Sequence, residues 1–301
     1  MRLEYRILWI ENDSDWKETT EGMIKDEILE KGYILNTTFY KDYNVFLRET
    51  AKKDYGIYDL ILVDYKLDND LTGDNFIEKV RNNNVLTDVL FYSQNSDELK
   101  EKFSNNSLEG VYISNREDFE DKFFQVFLKT IKKLEELNAV RGLVMAETSR
   151  LDRIIEDILI NYFNSDDSNK KTLKHYILDK INKSLKSNFS GDALKISSKT
   201  DIEIVKSRVF TANLKSRTIN KLIEINKYDS IFTHKDYENE VLKTRNELAH
   251  AKSEIKDGKE ILIVENKEGI EEKEFRQEDI VEIRKNILKY DKILKELKEK
   301  M

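Results

Sequence analysis

Five short apolar runs, separated by amphipathic stretches, govern what the first 115 residues can fold into. They are YRILWIE (5–11), YILNTTF (33–39), YDLILVD (58–64), DVLFYS (88–93) and GVYI (110–113). Each is too short for an ordinary helix and rich in β-branched and aromatic residues, so each reads as a strand. The middle runs are apolar at successive positions, which marks strands covered on both faces. The stretches 13–31, from Lys41 onward, 73–81 and 97–103 read as helices between them. Such alternation predicts a doubly wound five-stranded parallel sheet. With strand order 2-1-3-4-5, the polar ends of the central strands lie side by side.

The pattern changes at Asp118. Phe119, Phe123, Phe127, Ile131, Leu134, Leu137 and Val140 recur at helical spacing with no turn signal between them. We read 119–142 as a connector helix, its apolar stripe packing on the next domain or on a second copy. Residues 143–301 then read as all-α, with helices over 143–163, 171–188, 201–226, 237–252 and 277–300. A small hairpin is expected at 258–275. Flexible connections are expected at NSDDSNKK (164–171) and SNFSGD (187–192).

Composition excludes several chemistries. There is no cysteine, so disulfides and thiolate-held metals are excluded, and three histidines do not make a typical zinc set. No apolar run approaches a membrane span, and residues 1–20 lack the core of a signal peptide, so a cytoplasmic protein without membrane contact is expected. Residues 1–120 carry 15 basic and 26 acidic side chains, whereas 168–235 carries 15 and 6. An acidic half joined to a locally basic one suggests two domains with different partners.

Two groups of residues carry chemistry. Strand one ends in Glu11, Asn12 and Asp13, strand three in Asp64, and strand four in Ser93. Carboxylates meeting there could hold Mg²⁺ through oxygen ligands, with Glu11 and Asp64 the metal candidates. ILWIEND, LILVDYKLDNDLTGDNFIEKVR and VLFYSQ resemble the receiver domain of two-component response regulators over about 118 residues. The resemblance implies that Asp64 is a phosphoacceptor, that Glu11 and Asn12 stand for the acidic pair with Asp13 beside them, and that Ser93 is the hydroxyl facing the phosphoryl group. It also implies a histidine kinase or another regulatory protein as partner. YISNRE departs from the family: Asn115 and Arg116 occupy the places of its lysine and proline. Without that lysine, the cation linking phosphorylation to the switch is missing. A pseudo-receiver that senses another ligand, or only docks a partner, fits the same residues.

The second group is RNELAH, residues 245–250. Asn246 and His250 are four apart and share a helix face. Arg245 lies about 140° away at 100° per residue, so spacing alone does not force a shared site. An imidazole can exchange a proton near neutral pH, and a guanidinium can hold a phosphate. RNA brings its own nucleophile, the 2′-OH, so this set suits RNA cleavage with no cofactor. One histidine cannot easily serve as both base and acid, and a homodimer would supply two. The segment resembles the signature of the HEPN superfamily, Arg then four to six residues then His, often with Asn after the Arg. LNAVRGLVMAETSRLDRIIEDILINYF resembles that family's first helix. The resemblance, over roughly 135–301, implies that Arg245, Asn246 and His250 are catalytic, with Glu147 and Asp152 supporting.

The expectation is a regulated, metal-independent endoribonuclease, restrained or triggered through its receiver-like half, in stress response or phage defence. A non-catalytic signalling protein, whose receiver controls an RNA- or protein-binding module, is the second reading.

Overall fold

In the computed structural model, residues 3–41, 45–46, 55–65, 81, 86–94, 110–188, 196, 198–257, 259–266 and 269–301 are described. Two compact units divide between Glu136 and Leu137. The expected helices at 73–80 and 97–103, and most of the one following Lys41, lie outside the described residues. So does the 189–192 part of SNFSGD.

The first unit is built on five parallel strands: β1 (Glu4–Ile10), β2 (Ile34–Tyr40), β3 (Leu60–Asp64), β4 (Val89–Ser93) and β5 (Val111–Asn115). Their order is β2-β1-β3-β4-β5. The strand ends fall within two residues of the sequence expectation. Alternation within each strand feeds two separate cores. Ile7, Trp9, Leu60, Leu62, Leu90 and Tyr92 point to one face. Leu8, Ile10, Ile61, Val63, Val89 and Phe91 point to the other. Both faces are therefore buried, which explains the unbroken apolar runs.

Helix α1 (Ser14–Glu30) covers the first face through Ile24 and Ile28. Asp13 caps it, its carboxylate accepting from the Trp16 N–H at 3.1 Å. Helix α2 (Phe119–Ile131) lays Phe119, Phe123, Val126, Phe127 and Ile131 on the same face. Here the structure corrects the connector. The stripe that reads as a long helix is spent on the sheet of its own unit. A 3₁₀ turn follows over Lys132–Glu135, and Glu136 turns extended at ψ 140°. Leu137 and Val140 then open the core of the second unit. The break uses Lys and Glu in ordinary backbone conformations, which is why no glycine or proline marks it.

The second unit is organised around α3 (Leu137–Asn164) and α9 (Gln277–Glu299). Arg150 pairs with Asp291, and Lys298 pairs with Asp157, at the same sequence offset of 141. Equal offsets mean that the two helices run parallel. Between them in sequence come α4 (Lys170–Asn188), α5 (Asp201–Val205) and α6 (Ala212–Asn226). The single helix expected over 201–226 is two, because Thr200 and Thr211 each start one as N-caps. The 164–171 loop is tied down: the Tyr162 hydroxyl donates to Asp167 at 3.0 Å, and Asn169 donates to Asn226 at 3.1 Å.

The helix expected over 237–252 begins earlier, at Thr233 as N-cap, and ends earlier. It runs as α7 (His234–Tyr237), a π-helical segment (Glu238–Lys243) and α8 (Thr244–His250). The chain then turns extended at Ala251 and enters β6 (Lys252–Lys256). Strand β6 pairs with the expected hairpin, β7 (Lys259–Asn266) and β8 (Gly269–Glu274), making three antiparallel strands. Among the described residues, no helix is long and apolar enough to cross a membrane.

Candidate functional site

The polar ends of β1, β3 and β4 do meet. Glu11, Asp64 and Ser93 are all buried there, at 0%, 4% and 1% exposure. The cation among them is the chain's own. Arg116 follows β5 directly, and its Nη2 lies 2.9 Å from Asp64 and 3.2 Å from both Glu11 oxygens. Its Nη1 donates to Asp13 at 3.0 Å. The guanidinium stacks on Trp16, 4.6 Å from the ring centroid. Asn115, the residue before Arg116, turns away from the pocket. Its amide donates to the Asp118 carboxylate at 2.8 Å and accepts from the Asp118 N–H at 2.5 Å.

Behind the carboxylates, Trp9 Nε1 donates to the Tyr92 hydroxyl at 2.6 Å, which donates to Glu11 at 2.9 Å. Burial and the neighbouring Asp64 charge push Glu11 up to about 7, against the Asp13 N–H, Arg116 and Tyr92. Burial alone would lower Arg116, but Glu11, Asp13 and Asp64 outweigh it and raise it. Asp13 is lowered by the Trp16 N–H and then by Arg116.

Arg116 answers the charge of all three carboxylates, and a divalent ion would have to displace it. Among the described residues, no group of three or more His, Asp or Glu is disposed to hold a metal. Asn12 is half-buried beside the pocket.

A raised carboxylate gives a pH dependence of unusual sign. Glu11 binds its proton more tightly folded than unfolded, so its contribution is full below the unfolded value and is lost as pH rises through about 7. Between pH 7.5 and 5 the sheet unit should gain stability, by about 2–3 kcal/mol from this group. Denaturant melts followed by tryptophan fluorescence check this, because both tryptophans, Trp9 and Trp16, lie in this unit. Glu11→Gln should flatten the gain.

The RNELAH segment is the last turn and a half of a continuous helix. Arg245, Asn246 and His250 all line one cavity of about 840 Å³, together with Lys243, Glu247 and Lys252. The start of α6 contributes Thr211, Ala212 and Asn213, and β7 contributes an apolar wall of Ile263 and Val264. Arg245 and His250 therefore line the same cavity in spite of their angular separation. The π segment before it contributes Glu238 and Asn239 to the same lining. Such segments recur at functional sites. Arg141 of α3 holds the end of α8, donating to the Ala251 carbonyl at 2.5 Å.

Asn246 and His250 are exposed, and the Arg245 side chain is 27% exposed. Behind Arg245 lies Asp152, 4.0 Å from its Nη1. Burial raises Asp152, while Lys215 and Arg245 pull it down. Arg245 Nε, Asp152 Oδ1 and the hydroxyl of the fully buried Tyr237 make no hydrogen bond among the described residues. The three bear on one another: burial raises Tyr237, the Asp152 charge adds to it, and Arg245 opposes. Unpaired buried polar atoms are costly, so three together mark a place not shaped for stability alone.

Asp152 thus lies behind Arg245 without lining the cavity itself. Glu147 does not line the cavity. It accepts from Arg150 Nε at 2.8 Å, and Arg150 also holds Asp291, so Glu147 belongs to the α3–α9 seam. Sequence reading missed Glu247 as a lining residue, though it lies inside the six-residue motif, and Tyr237 as the buried neighbour of Asp152 and Arg245. His234 is packed rather than free. Arg217 Nε donates to its Nε2 at 3.0 Å, leaving Nδ1 to donate to Ser216 at 2.8 Å. Burial lowers it, Glu238 opposes and Arg217 adds to the lowering.

No family model matches the chain, and no curated protein matches it. Among solved structures, a sensor protein from Polaromonas sp. JS666 is similar at 17% identity and a TM-score of 0.31. The match covers 42% of this chain and 97% of that one. A score so low carries no argument, and both sites stand on their own residues.

Proposed function

We propose that the chain is a metal-independent endoribonuclease whose site is the cavity of Arg245, Asn246 and His250, with the sheet unit as its regulatory half. The observation that carries this is that those three residues line one cavity, with Lys243 and Lys252 beside them. Arg245 and the lysines attract and hold the scissile phosphate. The 2′-oxygen attacks phosphorus, forming the P–O2′ bond as the P–O5′ bond breaks. His250 moves a proton at one of those oxygens. The products are a 2′,3′-cyclic phosphate and a 5′-OH. The resemblance of 135–301 to HEPN domains supports the same chemistry, and a homodimer with Arg245 and His250 of two chains on one phosphate is the assembly that resemblance suggests. A role in stress response or phage defence rests on that analogy alone.

For the sheet unit we propose a pseudo-receiver. The resemblance to receiver domains supplies the frame and Asp64 the acceptor position. Arg116 supports docking of a regulatory protein over phosphorylation, because it holds Asp64 at 2.9 Å. Acetyl phosphate with Mg²⁺ should leave Asp64 unmodified, and intact mass tests it; a phosphorylated Asp64 would restore the histidine-kinase reading.

The experiment for the cavity is incubation with single-stranded RNA in EDTA. Cleavage by the wild-type chain is expected. RNA bound but left intact would favour a non-catalytic binding module.

Tyr237→Phe separates stability from activity. The ring stays packed against Tyr290, 4.9 Å away, and only an unpartnered hydroxyl is lost. Stability should stay level or rise by up to about 1 kcal/mol. Cleavage should fall about tenfold if the hydroxyl helps to set Arg245. Thermal melts beside rate measurements read both.

A further inference from the structure

A reaction that moves one proton from the 2′-O and another to the 5′-O needs two proton-transfer groups. We propose that Glu247 is the second, and that each chain holds a complete acid–base pair, Glu247 with His250, in its own cavity. The inference rests on the ribonuclease reading of that cavity. Three carboxylates line it. Glu238 is engaged by Asn213 Nδ2 at 2.5 Å. Glu271 reaches it from β8, on the sheet wall. Glu247 stands on α8 itself, three residues before His250, which puts their Cβ atoms about 5–6 Å apart on one helix face. That is a suitable separation for two groups flanking one phosphate.

The surroundings leave Glu247 available. Its side-chain contact is Lys243, at 3.9 Å, a pair too long for a direct hydrogen bond. Its side chain is 28% exposed, so it is neither buried in the packing of the unit nor lost to bulk water. The backbone of Glu247 is fixed as well, since its carbonyl accepts from the Ala251 N–H at 2.8 Å where the helix ends.

In the step proposed, the Glu247 carboxylate takes the 2′-hydroxyl proton as the P–O2′ bond forms. The His250 imidazolium gives its proton to the departing 5′-oxygen as the P–O5′ bond breaks. Arg245 holds the non-bridging oxygens. Solvent then returns a proton to His250 and removes one from Glu247, so no co-reactant is consumed.

The test uses the full chain and a labelled single-stranded RNA in EDTA, with Glu247→Gln, Glu247→Asp and His250→Ala. Glu247→Gln keeps shape and removes the base. It should lower kcat by about 10²-fold or more and abolish the acidic limb of the pH–rate profile, at unchanged melting temperature. Glu247→Asp should restore part of the rate and bring that limb back. If Glu247→Gln keeps the wild-type rate and both limbs while His250→Ala is inactive, the inference is wrong, and a two-histidine site across a dimer takes its place. If His250→Ala itself cleaves normally, the ribonuclease reading of the cavity fails first.

Discussion

His250→Ala and Arg245→Ala should each reduce RNA cleavage by about 10²–10⁴-fold, the range for removing a proton-transfer group or a preorganised charge at a transition state. The two losses should not add, because groups acting on one phosphate in one step fail together. Arg245→Lys is the sharper variant. Lysine keeps the charge but not the planar fork that holds two oxygens at once, so most of the loss should persist. Asp152 also stands behind Arg245, 4.0 Å from its Nη1, and the ammonium of a lysine would sit differently against that charge. Stability should barely register His250→Ala, because the imidazole is exposed in the cavity. Melting temperatures measured beside single-turnover rates check both halves of this expectation.

Arg116→Met should be the most destabilising single change in the sheet unit. Glu11 and Asp64 are buried with Arg116 bonded to both. Removing one partner of a buried ionic group leaves charge without compensation, at about 3–5 kcal/mol. Part of that loss should be recovered at low pH, where Glu11 accepts a proton. Part should be recovered by Mg²⁺, which the freed carboxylates of Glu11, Asp13 and Asp64 can then hold. The wild-type chain should show no such response to Mg²⁺. Trp16 reports the change, since it loses the stacked guanidinium. Urea midpoints at pH 5 and 7.5, with and without Mg²⁺, give all four numbers. Wild-type stabilisation by Mg²⁺ would contradict the reading of Arg116 as the resident cation.

The sheet was legible in the sequence because burial of both faces writes itself as unbroken apolar runs, as in LILVD and VLFYS. The convergence of Glu11, Asp64 and Ser93 followed from placing those residues at strand ends. What could not be read was the path of a side chain. Arg116 follows β5, and only its reach across β1 and β3 makes it the pocket's cation. The split of 201–226 turned on Thr211, one threonine among several that could cap a helix. The π segment has no periodicity distinct enough to separate it from α-helix over six residues. RNELAH was legible as a motif, but not that Arg245 and His250 would line one cavity. That depends on Thr211–Asn213 and on β6–β8, which lie outside the motif and form walls only once folded.

The most direct measurement is the chemistry of the ends left on RNA cut in EDTA by the full chain. The site of Arg245, Asn246 and His250 predicts a 2′,3′-cyclic phosphate and a 5′-OH at every cut, absent with His250→Ala. Fragments bearing a 3′-OH and a 5′-phosphate, or intact RNA under conditions where the chain binds it, would contradict it.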